Sequence, residues 1–310
     1  MRFVVLATVL SFAAAPADAA RRGAVIAPGE LSKDARGRLQ RQIAAARVKD
    51  ARTFEALAAM RASLPQLARR QRGRMVNLVR PLRALGKPGL MPMLAELAFD
   101  SRGRGALSER AWRGFRVSLL EAVGSLRDPR AVPVLEAVLK SDEKDISVLR
   151  TAARGLARLR TESAVKTLLQ LVEGPDTRRR RAALVALGEC RRPGAARALA
   201  RILRKTNNET DRGLAIAALG AVGNLWAWRT LGGADSGEGD ATRRLALEAL
   251  IEAYPRLSAP ERERAAKAIL LVSHRTTRAR IAAARARASG EQAAALDRLA
   301  RRITRDGLLR

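Results

Sequence analysis

Residues 182–188 read Ala-Ala-Leu-Val-Ala-Leu-Gly, and residues 215–220 read Ala-Ile-Ala-Ala-Leu-Gly. Both stretches place apolar residues three and four positions apart, which is typical of one face of a helix. An apolar residue followed by Gly or Ala recurs at intervals of 33, 31 and 32 residues, at Gly124, Ala157, Gly188 and Gly220. A repeat of about 32 residues therefore organises the middle of the chain.

Each repeat contains a second helical stretch after a short break with Gly or Pro. Seven residues beyond the repeat position stands an alanine, and four residues further stands a leucine: Ala131, Ala164, Ala195 and Ala227, then Leu135, Leu168, Leu199 and Leu231. Two helices with a turn between them form a hairpin, and one hairpin cannot bury both of its faces. The sequence therefore predicts an all-α chain, a right-handed superhelix of stacked helical hairpins.

The pattern resembles HEAT repeats, in particular the short HEAT-like repeats of phycobilisome lyases. Residues 116–139, 150–172, 180–203 and 212–231 carry the resemblance, through Arg, small and apolar positions, Leu-Gly, a turn, then Ala and Leu. The resemblance implies an armadillo-like α-solenoid whose second helices line a concave side. It implies little about activity, because one repeat architecture serves many roles.

The chain divides around this array. We expect core repeats over 106–231, degenerate N-terminal repeats over 31–105 and degenerate C-terminal repeats over 241–310. Residues 20–30 contain two Gly and one Pro and are expected to form a loose arm. Residues 232–240 are rich in Gly and acids and are expected to form an exposed loop, because Gly loses much backbone entropy in a helix.

The first nineteen residues have the layout of a secretory signal peptide. Arg2 precedes an uncharged run over 3–15, Pro16 follows, and Ala17-Asp18-Ala19 supplies small residues at a cleavage position. We expect export to the periplasm or beyond, with cleavage after Ala19. A 13-residue run is shorter than the roughly 20 residues that span a bilayer. The mature chain is therefore expected to have no transmembrane segment.

Composition limits the chemistry. The chain has 60 basic and 30 acidic residues, a net charge of +30, but a single Cys and a single His. A zinc site needs about four ligands, and a disulfide framework needs paired cysteines. We therefore predict no metal and no cofactor. An excess of positive charge attracts anionic partners, although coding bias toward Arg could account for the scarcity of Lys.

Two groups of cations are candidate binding residues. The first is a row on the second helices, Lys166, Arg197 and Arg229, with Arg201 beside it. The second is Arg178, Arg179, Arg180 and Arg181, which lie at the start of a predicted helix. The positive end of the helix dipole disfavours cations at this position. Guanidinium forks match carboxylate and phosphate oxygens, but both groups could equally be solvated surface. A dense cluster of Arg69, Arg70, Arg72 and Arg74 has the same two interpretations.

Other candidate groups carry weaker signals. His274 follows an apolar helix and is interpreted as a surface or capping residue, and Cys190 as a buried thiol. Asp235, Glu238 and Asp240 do not have the spacing of a calcium loop.

These observations favour an exported, non-enzymatic scaffold that holds an acidic protein or an envelope polyanion in a basic concave groove. A nucleic-acid-binding protein with a cradle like that of HEAT-like DNA glycosylases is the first alternative. A lyase-like enzyme is the second.

Overall fold

The computed structural model describes residues 22–70, 75–234 and 236–307. Over these ranges the chain forms sixteen α-helices and no strand, which confirms the all-α prediction. They are α1 (Lys33–Lys49), α2 (Ala51–Arg70), α3 (Val79–Ala84), α4 (Leu90–Ala98), α5 (Glu109–Leu126), α6 (Val132–Lys140), α7 (Ile146–Arg158), α8 (Glu162–Glu173), α9 (Thr177–Leu187), α10 (Pro193–Lys205), α11 (Glu209–Val222), α12 (Leu225–Thr230), α13 (Gly237–Ala253), α14 (Ala259–Val272), α15 (Thr277–Ala286) and α16 (Gly290–Asp306).

The helices form two layers. In layer A, the helices α3, α5, α7, α9, α11 and α14 pack against one another in that order. In layer B, the helices α4, α6, α8 and α10 each pack against the layer A helix that follows in sequence. The apolar faces of both layers meet in one continuous buried cluster that extends from Ala24 to Ile303. The stacked hairpins that the repeat predicts are therefore present.

Small residues at the repeat position allow layer A helices to approach closely. A Cβ atom added to Gly124 would stand 2.5 Å from Cα of Gly155, and one added to Gly188 would stand 3.0 Å from Cα of Ala218. Neither distance leaves room for a larger side chain, because real Cβ contacts are longer. The periodic Gly therefore sets the distance between neighbouring repeats.

Side-chain caps determine where the core helices begin. In several of them the side chain of the residue before the helix accepts a hydrogen bond from a backbone N–H of the first turn, which satisfies a donor that has no partner within the helix. These caps are Ser108 for α5, Asp145 for α7, Thr161 for α8, Asp176 for α9 and Asn208 for α11.

The turns after α5, α7 and α9 share an unusual backbone conformation. Arg127, Arg160 and Arg191 have φ values of 53°, 57° and 46°, in the left-handed region. A residue of this conformation commonly ends a helix, and Gly is its usual occupant. Three consecutive repeats use Arg instead. We call these three residues the turn row.

The prediction of a loose arm over 20–30 is wrong for the residues described. Ala24, Val25 and Ile26 are buried. Their amides donate to the carbonyl oxygens of Glu96 and Leu97, at 2.8 Å for Ala24 and 3.1 Å for Val25. The last carbonyls of a helix lack partners within it, so the apolar segment satisfies the end of α4 while covering its side chains.

The predicted exposed loop over 232–240 is also wrong in part, because α13 begins at Gly237. The Ser236 side chain accepts from the amide of Gly239 at 3.0 Å. Glu238 and Asp240 lie in the first turn, where carboxylates favour the positive end of the helix dipole. The stabilisation from the Ser236 cap and the two acids outweighs the backbone entropy that the glycines lose in the helix.

The fourth predicted hairpin departs from the pattern as well. Its expected second helix, around 227–231, is the six-residue α12, which contacts α14. The longer α13 packs along α10 and occupies layer B. Trp228 explains the change, because its ring is buried in a separate small cluster with Leu225 and Ala234, and Gly232 then turns the chain with a φ of 68°.

Several predictions concern residues outside the described ranges. The signal peptide over 1–19 lies there, as do Arg72, Arg74 and Asp235. Among the described helices, none combines the length and the hydropathy needed to cross a bilayer.

Candidate binding surface

Layer B exposes cations on two neighbouring helices. Lys166 lies on α8, and Arg197 and Arg201 lie on α10; all three side chains are exposed. Within the described ranges none of the three has an ion pair, whereas Arg204, on the same helix, stands 3.7 Å from Glu252. We call Lys166, Arg197 and Arg201 the layer B face. It presents charge that the protein itself does not neutralise.

A cavity of about 590 Å³ opens beside this face, among α8, α9, α10 and α11. Val172, Leu184 and Ile202 supply apolar lining, Arg201 and Lys205 supply positive charge, and Glu173 and Asp211 supply negative charge, with Asp211 paired to Arg180. Arg180 also lines the cavity, so the structure brings Arg180 and Arg201 together from the two predicted groups. Lys205 adds a cation that the repeat pattern does not mark, although its position four residues after Arg201 places it on the same helix face.

Arg229 does not continue the row. It lies on α12, and its guanidinium stacks 5.5 Å from the centre of the exposed Trp226 ring. Because α13 rather than α12 neighbours α10, the expectation of one cation per repeat in layer B is wrong at this position. The inserted α12 carries Arg229 out of the layer.

The four arginines of residues 178–181 are mostly engaged inside the array. Arg179 donates to the carbonyl oxygen of Leu139 at 2.9 Å and also contacts Asp176 and the Ser141 carbonyl. Arg180 and Arg181 pair with the two oxygens of Asp211, at 3.1 and 3.0 Å. The donors of these three arginines hold α9 to α6 and α11. Arg178 is exposed.

The same kind of pair joins other layer A helices. Arg116 of α5 contacts Glu143 and lies 3.8 Å from Asp145, the cap of α7. Arg212 of α11 donates to Glu261 of α14 at 2.6 Å. Arg116, Arg180 and Arg212 all stand eight residues before a repeat position. The sequence therefore contained part of the signal for these bridges, namely a periodic Arg; its acidic partner follows 27 residues later for Arg116, 31 for Arg180 and 49 for Arg212.

A second network crosses the middle of layer A. Arg158 donates to Glu121 at 2.6 Å and to Glu189 at 2.8 Å, and Arg154 donates to Glu189 at 2.5 Å. Burial opposes ionisation of Glu189, but the two guanidinium groups outweigh it and hold the pKa of this carboxyl below its ordinary value. Many arginines of this basic chain are therefore structural.

The remaining chemical groups have structural surroundings. His274 is 1% exposed; its Nε2 lies 3.1 Å from Asp240 Oδ1 and its Nδ1 lies 2.9 Å from the Thr276 hydroxyl. The interpretation of His274 as a surface residue is therefore wrong, since its ring is buried between α13 and the turn after α14. Among the described residues, no group of three or more His, Cys, Asp or Glu could hold a metal ion.

Cys190 is fully buried in the main core cluster. Burial, with a smaller effect of the neighbouring Glu189, raises the pKa of its thiol from 9.0 to about 12. Only the thiolate is a good nucleophile, so at about pH 8 this thiol forms about a thousandfold less thiolate than an ordinary one.

We therefore expect Cys190 to resist a disulfide reagent in the native protein and to react fully in concentrated guanidinium chloride. The measurement is the rate at which the reagent releases its own thiol on reaction with Cys190, followed by absorbance. Because this is the single Cys of the chain, the denatured sample is its own control. A fast native reaction would show that α9 and its turn open readily.

The fold and the surface together define an α-solenoid with a basic face. Residues 142–220, which extend from the start of α7 into α11, match the family model of HEAT repeats. The chain therefore contains HEAT repeats, as the sequence resemblance predicted. No curated protein matches the chain.

Two solved structures that match this chain differ widely from it in sequence. Human deoxyhypusine hydroxylase, in complex with glycerol, is 17% identical, with a TM-score of 0.35, over 84% of this chain and 99% of that one. The complex of CpcE and CpcF of phycocyanin lyase from Nostoc sp. PCC7120 is 20% identical, with a TM-score of 0.31, over 64% of this chain and 91% of that one.

Proposed function

We propose that this protein is an exported scaffold that acts by binding rather than by catalysis, and that its layer B face holds an acidic protein. The observation that carries the proposal is that the three exposed cations of this face have no ion pair in the described ranges, whereas several arginines of layer A, including Arg158, Arg180 and Arg212, are paired with acids. Charge left exposed on adjacent helices attracts anionic partners.

The adjoining cavity adds specificity for a protein partner. Arg201 and Lys205 stand at an opening whose lining includes Leu184 and Ile202. A carboxylate next to an apolar side chain would satisfy both the cations and the apolar lining. An envelope polyanion or a nucleic acid offers the charge but fewer apolar groups, so the cavity favours an acidic peptide segment.

The test compares a triple variant, Lys166→Gln, Arg197→Gln and Arg201→Gln, with the parent. The probe is a labelled Glu-rich peptide that contains one Leu, and the measurement is fluorescence anisotropy across a salt titration. Exposed ion pairs contribute about 0.5 kcal/mol each, so we expect about a tenfold weaker affinity. The parent's affinity should also fall as salt rises.

A matched control removes the same charge elsewhere. Arg278, Arg298 and Arg301 are exposed on α15 and α16, and their change to Gln should leave the affinity within about twofold of the parent. An equal loss in both triple variants would attribute binding to net charge and overturn the proposed face. Tighter binding of duplex DNA at physiological salt, lost in the same variant, would support the nucleic-acid alternative instead.

The export part of the proposal has a separate test. A reporter enzyme fused after residue 40 should be recovered outside the cytoplasm and should lack residues 1–19. A reporter retained in the cytoplasm would contradict export and would favour the nucleic-acid alternative.

A further inference from the structure

The turn row forms a continuous edge of the array rather than three separate turns. The Arg160 side chain donates to the backbone carbonyl of Arg191 at 3.1 Å, and the Arg192 side chain donates to that of Arg160 at 2.7 Å. These bonds join the turn after α7 to the turn after α9. The guanidinium groups of these two consecutive turns are thereby held side by side along one edge of the array.

The positive charge of the turn row is not fully neutralised by acidic side chains. Burial lowers the pKa of Arg191, and the charges of Arg127, Arg160 and Arg158 lower it further, although Glu189 opposes them. The Nε atom of Arg191 is buried and has no hydrogen-bond partner. Arg158 is neutralised by Glu121 and Glu189, so the excess belongs to the turn row itself.

One carboxylate of the chain already lies in this edge. The side chain of Glu238, in the first turn of α13, stands 3.7 Å from Arg160 Nη2 and 3.5 Å from Arg192 Nε. The Arg160 guanidinium also stacks 5.3 Å from the ring centre of Trp228. The edge therefore accepts a carboxylate between two guanidinium groups, with an aromatic face that orients one of them.

The contact to Glu238 leaves room for competition. Both distances exceed those of hydrogen-bonded ion pairs, and the Glu238 side chain is 42% exposed. Arg127, at the other end of the turn row, is exposed. A partner could therefore contact Arg127 first and then displace Glu238 from Arg160.

We propose that the turn row binds an extended acidic peptide and that Glu238 competes with it as a built-in carboxylate. Packed helices stand about 8–10 Å apart, and a peptide in the extended polyproline II conformation advances about 3.1 Å per residue with three residues per turn, so every third side chain lies on one face about 9 Å from the next. Acids at every third position would therefore meet successive arginines.

The experiment uses the full-length layer B variant Lys166→Gln, Arg197→Gln and Arg201→Gln as its background, so that it is independent of the proposed function. The probe is a labelled seven-residue peptide with Glu at positions 1, 4 and 7. The comparison peptide has the same composition with the three Glu adjacent. Inorganic tripolyphosphate serves as a competitor of different chemistry.

In this background, Glu238→Gln should bind the spaced peptide about threefold to fivefold more tightly, since it removes a competing carboxylate. Arg127→Gln, which lies at an exposed turn, should bind about threefold more weakly. The spaced peptide should also bind more tightly than the clustered one. With Trp112→Phe and Trp226→Phe added, Trp228 emission should change on binding, because this tryptophan stacks on Arg160.

The proposal is overturned by any of three results: unchanged or weaker binding after Glu238→Gln, equal affinity for spaced and clustered peptides, or tripolyphosphate binding that exceeds peptide binding. Circular dichroism of each variant confirms that the helices are intact. Weaker binding of the layer B variant than of the parent, with an intact response to Glu238→Gln, would show that both surfaces bind anions independently.

Discussion

Gly124→Val is expected to lower the free energy of unfolding by about 3 kcal/mol, because overpacking at a close helix contact costs about this much. A Cβ atom at this position would stand 2.5 Å from Cα of Gly155. The obstacle is backbone, so no side chain can rotate away, and α5 must move off α7. Valine adds two further methyl groups to the clash.

The measurement is urea unfolding followed by far-UV circular dichroism and by intrinsic tryptophan fluorescence, to which Trp112 on α5 contributes. Gly124→Ala should show the same effect at a smaller size. Gly194→Ala is the matched control, since no atom stands within 4 Å of the added Cβ in α10. That control should be neutral or stabilise by up to about 1 kcal/mol. A Gly124→Val protein as stable as the parent would show that the layer A contact is looser than described.

Glu261→Ala should lower the free energy of unfolding by about 2–3 kcal/mol. The Glu261 side chain is 1% exposed and accepts hydrogen bonds from Arg212 at 2.6 Å and from the Ser258 amide and hydroxyl at 3.0 and 2.8 Å. The change removes a capping box worth about 1 kcal/mol and a charged hydrogen bond worth about 1.5–3 kcal/mol. Water at the partly exposed Arg212 recovers some of this loss.

The pH dependence supplies a second readout. Burial opposes ionisation of Glu261, but the hydrogen bonds from Arg212 and Ser258 outweigh it and hold its pKa below the ordinary value. A lowered pKa stabilises the fold above the unfolded-state pKa, and this contribution disappears as pH falls through the folded-state pKa. The stability difference between parent and variant should therefore be full at neutral pH and should shrink below about pH 4.5.

Glu291→Ala provides the control for this prediction. Glu291 also lies in a helix first turn and pairs with an arginine, at 3.4 Å from Arg262, but its side chain is 80% exposed. Its loss should cost no more than about 0.5 kcal/mol. A difference of that small size for Glu261 would mean that the bridge between α11 and α14 does not stabilise the array.

The helices of layer A were predictable from the sequence because the signals that specify them act over a few neighbouring residues. Apolar spacing of three and four residues and Ser, Thr, Asp or Asn caps act within a few positions. The start of α13 was also accessible in principle, since Ser236 followed by Glu238 and Asp240 is a helix-start signal that the density of Gly concealed. The buried arm was less accessible, because its partner is the carbonyl end of α4, some 70 residues away.

The candidate sites were harder to predict for the same physical reason. An Arg side chain is long, and its partner can lie one or more repeats away in sequence, as Asp211 does for Arg180 and Glu261 does for Arg212. Sequence position therefore does not separate an arginine that bridges two helices from one that faces solvent. In the structure Arg197 and Arg201 are exposed on layer B. Arg179 instead bridges α9 to α6, and Arg229 stacks on Trp226.

By itself the sequence determined that the chain is all-α, that its middle is a stack of hairpins, and that small residues stand where neighbouring repeats meet. Periodicity in a repeat protein carries this information because each unit contacts only its neighbours. The tertiary structure alone decided which arginines are neutralised, that α13 replaces α12 in layer B, and that Glu238 reaches the turn row. These outcomes depend on distances between residues far apart in the chain, and local propensity does not encode such distances.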